Sequence, residues 1–242
     1  MLPLDDARKV APDHSPSVRL AKAAEQASLH SGRSGKIVHG RITKEHQLRE
    51  IPARFDRVHM RIIRHSGLVE TRWKNGRGIT RDIAFEMLEG SLLWRLSMAD
   101  VAVDGPFSSF PGLTRVLTVI RGGGLILHGP DRDLRGDYAK PVVFDGVTAI
   151  DAELTEGPLR DFNLMYDTVR CEADVCVVHG PAETSADAGG QTFVHHCIAG
   201  KAKLGGADRL EAGDTAIVTG TPVRLTLDPG DIVLSVGLRI RA

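Results

Sequence analysis

Residues 70–84, ETRWKNGRGITRDIA, gather a tryptophan, a lysine, an amide and two glycines around Arg77. Such a segment can grip a polar ligand. The Trp73 indole excludes water, Lys74 supplies a point charge, and Asn75 donates hydrogen bonds without adding charge. Gly76 and Gly78 let the backbone bend sharply or approach a bound group. A second set of donors lies in LWRLSMA, where period-2 alternation puts Trp94, Leu96 and Met98 on one face of a strand and Arg95, Ser97 and Ala99 on the other. In RDFNLMYD the same alternation sets Phe162, Leu164 and Tyr166 against Asp161, Asn163 and Met165. Strands with one apolar and one polar face fit the walls of a polar pocket inside a barrel. They fit equally a polar face turned to water.

Other chemistries find no footing. His128 and His179 stand alone, and His195 and His196 are adjacent, so on a strand they point to opposite faces and cannot chelate one ion together. One of that pair is expected to point inward and the other to solvent. No metal site and no cofactor are implied. No nucleophile elbow and no phosphate loop occur; RGGGLILHG joins two strands and reads as a hairpin turn. No pair of carboxylates is spaced for acid–base work.

The elements that must position these residues are strands. The chain has 242 residues, 42% hydrophobic and 26% charged, enough to bury a sizeable core. Its 31 basic and 31 acidic residues cancel, so no global field recruits nucleic acid or an anionic membrane. The apolar runs are too short to span a bilayer, and no secretory signal follows Met1. Three cysteines without a CxxC pair read as reduced thiols in a cytoplasmic protein. Residues 1–59 differ from the rest, with 11 Lys/Arg against 7 Asp/Glu. One weak, alanine-faced helix is readable there, from Ser15 and Pro16 to near Gly32, within a poorly packed or flexible extension.

From Met60 onward short strands alternate with Gly, Asp and Pro turns, and no convincing long helix interrupts them. This is an all-β pattern, closed or sandwiched. A faint repeat relates VLTVIRGGGLILHG, PVVFDG and the strand of DFNLMYD to FVHHCIAGKAKL, DTAIVTGTPVRLTL and DIVLSVGLRI. Two tandem double-stranded β-helix (jelly-roll) units would form a bicupin over 60–242, its first half about 60–170 and its second about 171–242.

WKNGRGITRDIA resembles the WKNGGG-T-EIA opening of the HutD/Ves family. WRLSMADVAVDGPFSSFPGLTRVLTVIRGGGLIL is similar to the segments that follow it there, in the same order, and FDG and DFNLM fall where the family has related elements. The resemblance covers 60–242. It implies a metal-free, non-catalytic bicupin that tunes histidine utilisation, or stress response in the Ves branch, by binding a small anionic metabolite such as formylglutamate or urocanate. A homodimer is compatible with it. For such an anion Arg95, Arg115, Lys74 and Asn75 would supply charge and amide donors, with Trp73 as an apolar lid, Gly76 in the turn, and Ser97 and Asn163 added by motif. Where the family has three glycines this chain has Gly76-Arg77-Gly78; a positive φ at Arg77 would cost roughly 1 kcal/mol. The rival reading is a metal-independent cupin enzyme, an isomerase or hydrolase acting on a small polar acid.

Overall fold

The computed structural model describes residues 18–19, 59–185, 191–220 and 223–241. Among them the strands form two six-stranded and two four-stranded sheets. One large sheet runs, in hydrogen-bonding order, Val142–Asp145, Thr114–Arg121, Leu159–Tyr166, Ser91–Val101, Gly78–Leu88 and Glu70–Arg72. A small sheet of Gly105–Pro106, Asp151–Leu154, Gly124–His128 and Asp133–Asp137 closes it into a first barrel. The other large sheet runs Val18–Arg19, Cys171–His179, Ile232–Ile240, Gln191–Ala199, Thr215–Thr219 and His59–Ile63. Its small partner, Ala182–Ser185, Arg224–Leu227, Lys201–Leu204 and Asp208–Glu211, closes a second barrel. The expected all-β bicupin architecture is therefore present.

Alternation along the strands divides the apolar residues into three layers. Trp94, Leu96, Met98, Phe162, Leu164 and Tyr166 meet Val175, Val194, Val236 and Leu238 in a core shared by the two large sheets. Leu117, Val119, Leu125 and Leu127 fill the first barrel, and Leu204, Leu210, Leu225 and Val233 the second. The first large sheet is thus covered on both faces, and Ser97, Arg115, Asp161 and Asn163 on its barrel face are enclosed.

Two expectations change. Thr114–Arg121 and Gly124–His128 belong to different sheets, so the triple glycine is a corner between sheets and not a hairpin turn. Glycine is needed there: a Cβ on Gly122 would lie 2.9 Å from Leu159 Cα, and one on Gly123 only 2.4 Å from Glu156. Val18–Arg19 is extended and pairs with Val175 and Asp174, so the expected helix does not include them; its remainder lies outside the described residues.

His59–Ile63 pairs along its length with Thr215–Thr219, and Met60 and Ile62 pack on the second barrel's core. A chain that begins at Met60 keeps that strand and is expected to be soluble and to melt cooperatively. One that begins at Gly67 exposes the core it covered and is expected to melt roughly 10 °C lower. Thermal melts followed by circular dichroism check both.

Candidate functional site

Three transverse rows cross the barrel face of the first large sheet. In register they are Thr80–Ala99–Asp161, Asp82–Ser97–Asn163–Leu117, and Phe85–Arg95–Met165–Arg115–Phe144. These positions alternate with residues of the shared core, so their side chains enter the first barrel, where cross-strand neighbours stand close enough to interact. The polar faces read from LWRLSMA and RDFNLMYD line a barrel interior: Ser97, Asp161 and Asn163 are buried there, and Arg95 is half-buried at its edge.

Arg115 sits at the centre and is only 5% exposed. Its Nη2 donates to Asn163 Oδ1 at 3.0 Å and its Nη1 to the Ser108 carbonyl at 3.3 Å. Its Nε is buried without a partner, and Arg115 forms no ion pair among the described residues. Three rings surround it instead, with the guanidinium carbon 5.2 Å from the Phe107 centroid, 5.5 Å from Phe110 and 5.0 Å from Phe144. Cation–π contact offsets part of the lost hydration, by about 2 kcal/mol at most per ring. Burial still dominates and pulls Arg115 down to about 10, with Asp161 opposing and Arg95 reinforcing the shift. It remains a cation at neutral pH.

Asn163 relays Arg115 to an acid. Its Nδ2 donates to Asp161 Oδ1, and the Ala99 backbone amide donates to the same carboxyl. Asp161 is 1% exposed, and burial pushes it up to about 7 despite Arg115 and both donors. Arg95 is differently placed: its Nε donates to Asp82 Oδ1 at 2.7 Å, and a second nitrogen joins the ion pair. The barrel thus holds one arginine neutralised by Asp82 and one linked to an acid only through the Asn163 amide.

The Trp73 loop is a tight turn. Gly76 N–H donates to the Trp73 carbonyl at 3.0 Å, Gly76 takes φ 70°, and Asn75 Oδ1 accepts the Arg77 amide at 3.0 Å. Lys74 and Asn75 are exposed. Trp73 is half-buried against the first barrel's core, and its Nε1 donates to Thr80 Oγ1 at 2.8 Å. A Cβ on Gly78 would stand 3.0 Å from the Trp73 ring and 2.6 Å from the Asp100 carbonyl, so this glycine is fixed by contact and Gly76 by its dihedral. Arg77 has no positive φ; its Nη1 reaches the Asp104 carbonyl at 3.2 Å. The middle position tolerates a side chain.

Arg95, Ser97, Arg115 and Asn163 are therefore brought together, Trp73 joins them through Thr80, and Lys74, Asn75 and Gly76 form the outward turn. Sequence reasoning passed over Asp82, Asp161 and the three phenylalanines as site residues. Asp161 shares a strand face with Asn163, and Phe107 and Phe110 lie in DGPFSSFPG, so both signals were present.

His195 and His196 are both buried, correcting the expectation that one meets solvent. His196 lies in the seam between the large sheets, 5.0 Å from the Phe162 ring, with Nδ1 2.9 Å from Thr215 Oγ1. His195 enters the second barrel. Their faces do differ; the second face is covered because the shared core lies behind it. Among the described residues no group of three or more His, Cys, Asp or Glu is placed to hold a metal. No described helix is long and apolar enough to cross a membrane.

Two tandem barrels with a polar, partly charged interior in the first define a bicupin. The likeness to a cupin 2 conserved barrel domain protein from Leptotrichia buccalis agrees at the level of fold: 9% identity and TM-score 0.50 over 75% of this chain and 96% of that one. The HutD family model matches residues 65–234, and the chain belongs to that family. Protein Ves of Citrobacter koseri is 37% identical over 145 residues, 59% of this chain and 73% of that protein. Among solved structures, HutD from Pseudomonas fluorescens SBW25 is 32% identical with TM-score 0.68, covering 76% of this chain and all of that one (100%). A conserved protein of unknown function from Pseudomonas aeruginosa PAO1 is 30% identical with TM-score 0.67, over 75% of this chain and 99% of that one.

Proposed function

We propose that this HutD-family chain binds a small carboxylate metabolite of histidine breakdown in its first barrel, formylglutamate foremost and urocanate as a related anion, and tunes that pathway in the cytoplasm without catalysis. One observation carries the reading: Arg115 is a buried cation with an unpartnered Nε and no carboxylate in contact. A buried charge is costly unless paired, and a ligand carboxylate would supply the pair, with Asn163 and Ser97 beside it as uncharged partners. The Phe107, Phe110 and Phe144 rings would exclude water around it, and Trp73 would close the end of the barrel at Thr80.

Asp161 favours a second reading. A buried carboxyl pushed up to about 7 beside an arginine has the properties of a general acid–base, as a metal-independent isomerase or hydrolase would need. Calorimetric titration with N-formyl-L-glutamate, urocanate and L-glutamate, paired with mass spectrometry of the incubated mixtures, separates the two. Binding of one of these anions with unchanged mass and configuration is the expected result. Turnover moves the assignment to the enzyme, and no binding to any of them removes both.

A further inference from the structure

The two barrels are built on the same strand order, and register lets their interiors be compared residue by residue. Ser91–Val101, Leu159–Tyr166 and Thr114–Arg121 of the first correspond to Cys171–His179, Ile232–Ile240 and Gln191–Ala199 of the second. Leu96, Leu164 and Val116 stand in one row, Val175, Val236 and Val194 in the other, and all six belong to the shared core. One residue further along, the barrel-facing row Ser97–Asn163–Leu117 corresponds to Cys176–Ser235–His195. The neighbouring row Arg95–Met165–Arg115 corresponds to Asp174–Gly237–Phe193.

The chemistry of that second row is inverted. Two arginines become an aspartate and an aromatic ring, and the methionine between them becomes a glycine with no side chain. A Cβ on Gly237 would lie 3.4 Å from Phe193 Cε1 and 4.0 Å from Asp174 Cβ, so ring and acid flank the same bare stretch of backbone. Asp174 and Cys176 are exposed, which leaves this side of the barrel open, while Ser235 and Phe193 are half-buried. Deeper, Ser235 Oγ lies 3.2 Å from His195 Nδ1, and His195 Nε2 is buried with no partner. Burial lowers His195 to about 4, so the imidazole is neutral near pH 7 and offers a hydrogen bond without charge.

We propose that the second barrel holds its own small-molecule site, at the place equivalent to the first, and that it takes an organic ammonium: the cation against Asp174 and the face of Phe193, a polar group of the ligand toward Ser235 and His195. A single exposed carboxylate holds a cation weakly, and the ring and the buried hydroxyl–imidazole pair add direction and selectivity. The opposite charge preference keeps the two sites from competing for one ligand. The assignment rests on the register of the two halves and stands whether or not the first barrel binds an anion.

Arg19 lies opposite Asp174 in the backbone register of Val18–Arg19, so the test runs in the full chain and in its Arg19→Ala variant. Tyramine and propylamine are titrated, with phenylacetate as the anionic control, while backbone amide shifts are followed by NMR. Shifts at Asp174, Cys176, Phe193, His195 and Ser235 with the amines, absent with phenylacetate, are expected in at least one of the two chains. Asp174→Asn should weaken amine binding at least tenfold, and Arg115→Met should leave it unchanged. Cys176 gives a second readout: Cys171 and Cys197 are buried, so maleimide labelling reports the exposed thiol, and bound amine should slow it. No amine binding in either chain, equal binding by phenylacetate, or amine binding indifferent to Asp174→Asn would overturn the site.

Discussion

Arg115→Met is expected to weaken binding of the first-barrel anion about a hundredfold or more, while the variant stays folded. The loss corresponds to roughly 3 kcal/mol, the upper end for hydrogen bonds to a charged group, because Arg115 is buried and, among the described residues, is the site's cation not already matched by a carboxylate. Methionine keeps the apolar stem inside the Phe107, Phe110 and Phe144 cage and removes a charge that is costly to bury. Against that relief, Asn163 Oδ1 loses its donor, so the melting temperature should move by only a few degrees in either direction. Arg115→Lys keeps the charge without the planar fork and should lose about tenfold. Arg95 behaves differently. Removing it strands Asp82, a carboxylate that would then repel the ligand, so Arg95→Ala should also weaken binding, and adding Asp82→Asn should restore much of it. Calorimetric titration of this set with whichever anion the parent binds decides the matter. Undiminished affinity in Arg115→Met removes the first barrel as the site.

How far these residues could be read from the sequence depends on what fixed them. Alternation in LWRLSMA and RDFNLMYD told which side chains share a face, because a strand has no other period. It could not tell whether the polar face meets water, since that is decided by the small sheet closing over it from residues distant in sequence. Several strands of the small sheets, such as Asp133–Asp137 and Asp208–Glu211, were invisible for the same reason: each buries a single residue and is mostly charged. Arg95 and Arg115 looked equivalent as cations. Only register, which sets Asp82 beside Ser97 in the row next to Arg95, and Asn163 beside Leu117 in the row next to Arg115, makes one a neutralised pair and the other an open charge. The WKNGRG loop was recognisable as a motif, yet its glycines act for reasons that motif spacing does not carry. Gly76 turns the chain, Gly78 lies under the Trp73 ring, and Arg77 needs no special dihedral. The two histidines misled because "not inward" was equated with "solvent", which fails for a sheet packed on both faces.

Asp161→Asn is expected to make the protein more stable above pH 7 and to change it little below about pH 4. Burial raises the native carboxyl from about 3.8 to about 7, against the pull of Arg115, the Ala99 amide and Asn163, with Asp100 adding a small push in the same direction. The charged groups that face it from the packed strands are Arg115 on Thr114–Arg121 and, further off, Arg95 and Asp82 within their own ion pair. Because the native value exceeds the unfolded one, the neutral acid's contribution is complete below pH 4 and is lost as pH rises through 7. A shift of that size corresponds to destabilisation on the order of 4 kcal/mol in alkaline solution relative to a group that cannot ionise. Asparagine is such a group, with nearly the same shape and an oxygen that can still accept from Asn163. Denaturant melts of parent and variant should therefore diverge progressively between about pH 4 and pH 7 and stay apart by a constant amount above it, the variant unfolding at higher denaturant. Anion binding follows the same sign. An ionised Asp161 is the ligand's rival for Arg115, so a bound carboxylate favours the protonated acid, and parental affinity should fall by up to tenfold per pH unit above 7. In Asp161→Asn the affinity should be flat across that range and exceed the parent's at pH 8.5. Parallel pH profiles for the two proteins, in stability and in affinity alike, would show that Asp161 keeps one charge state throughout and that its link to Arg115 through Asn163 carries no proton.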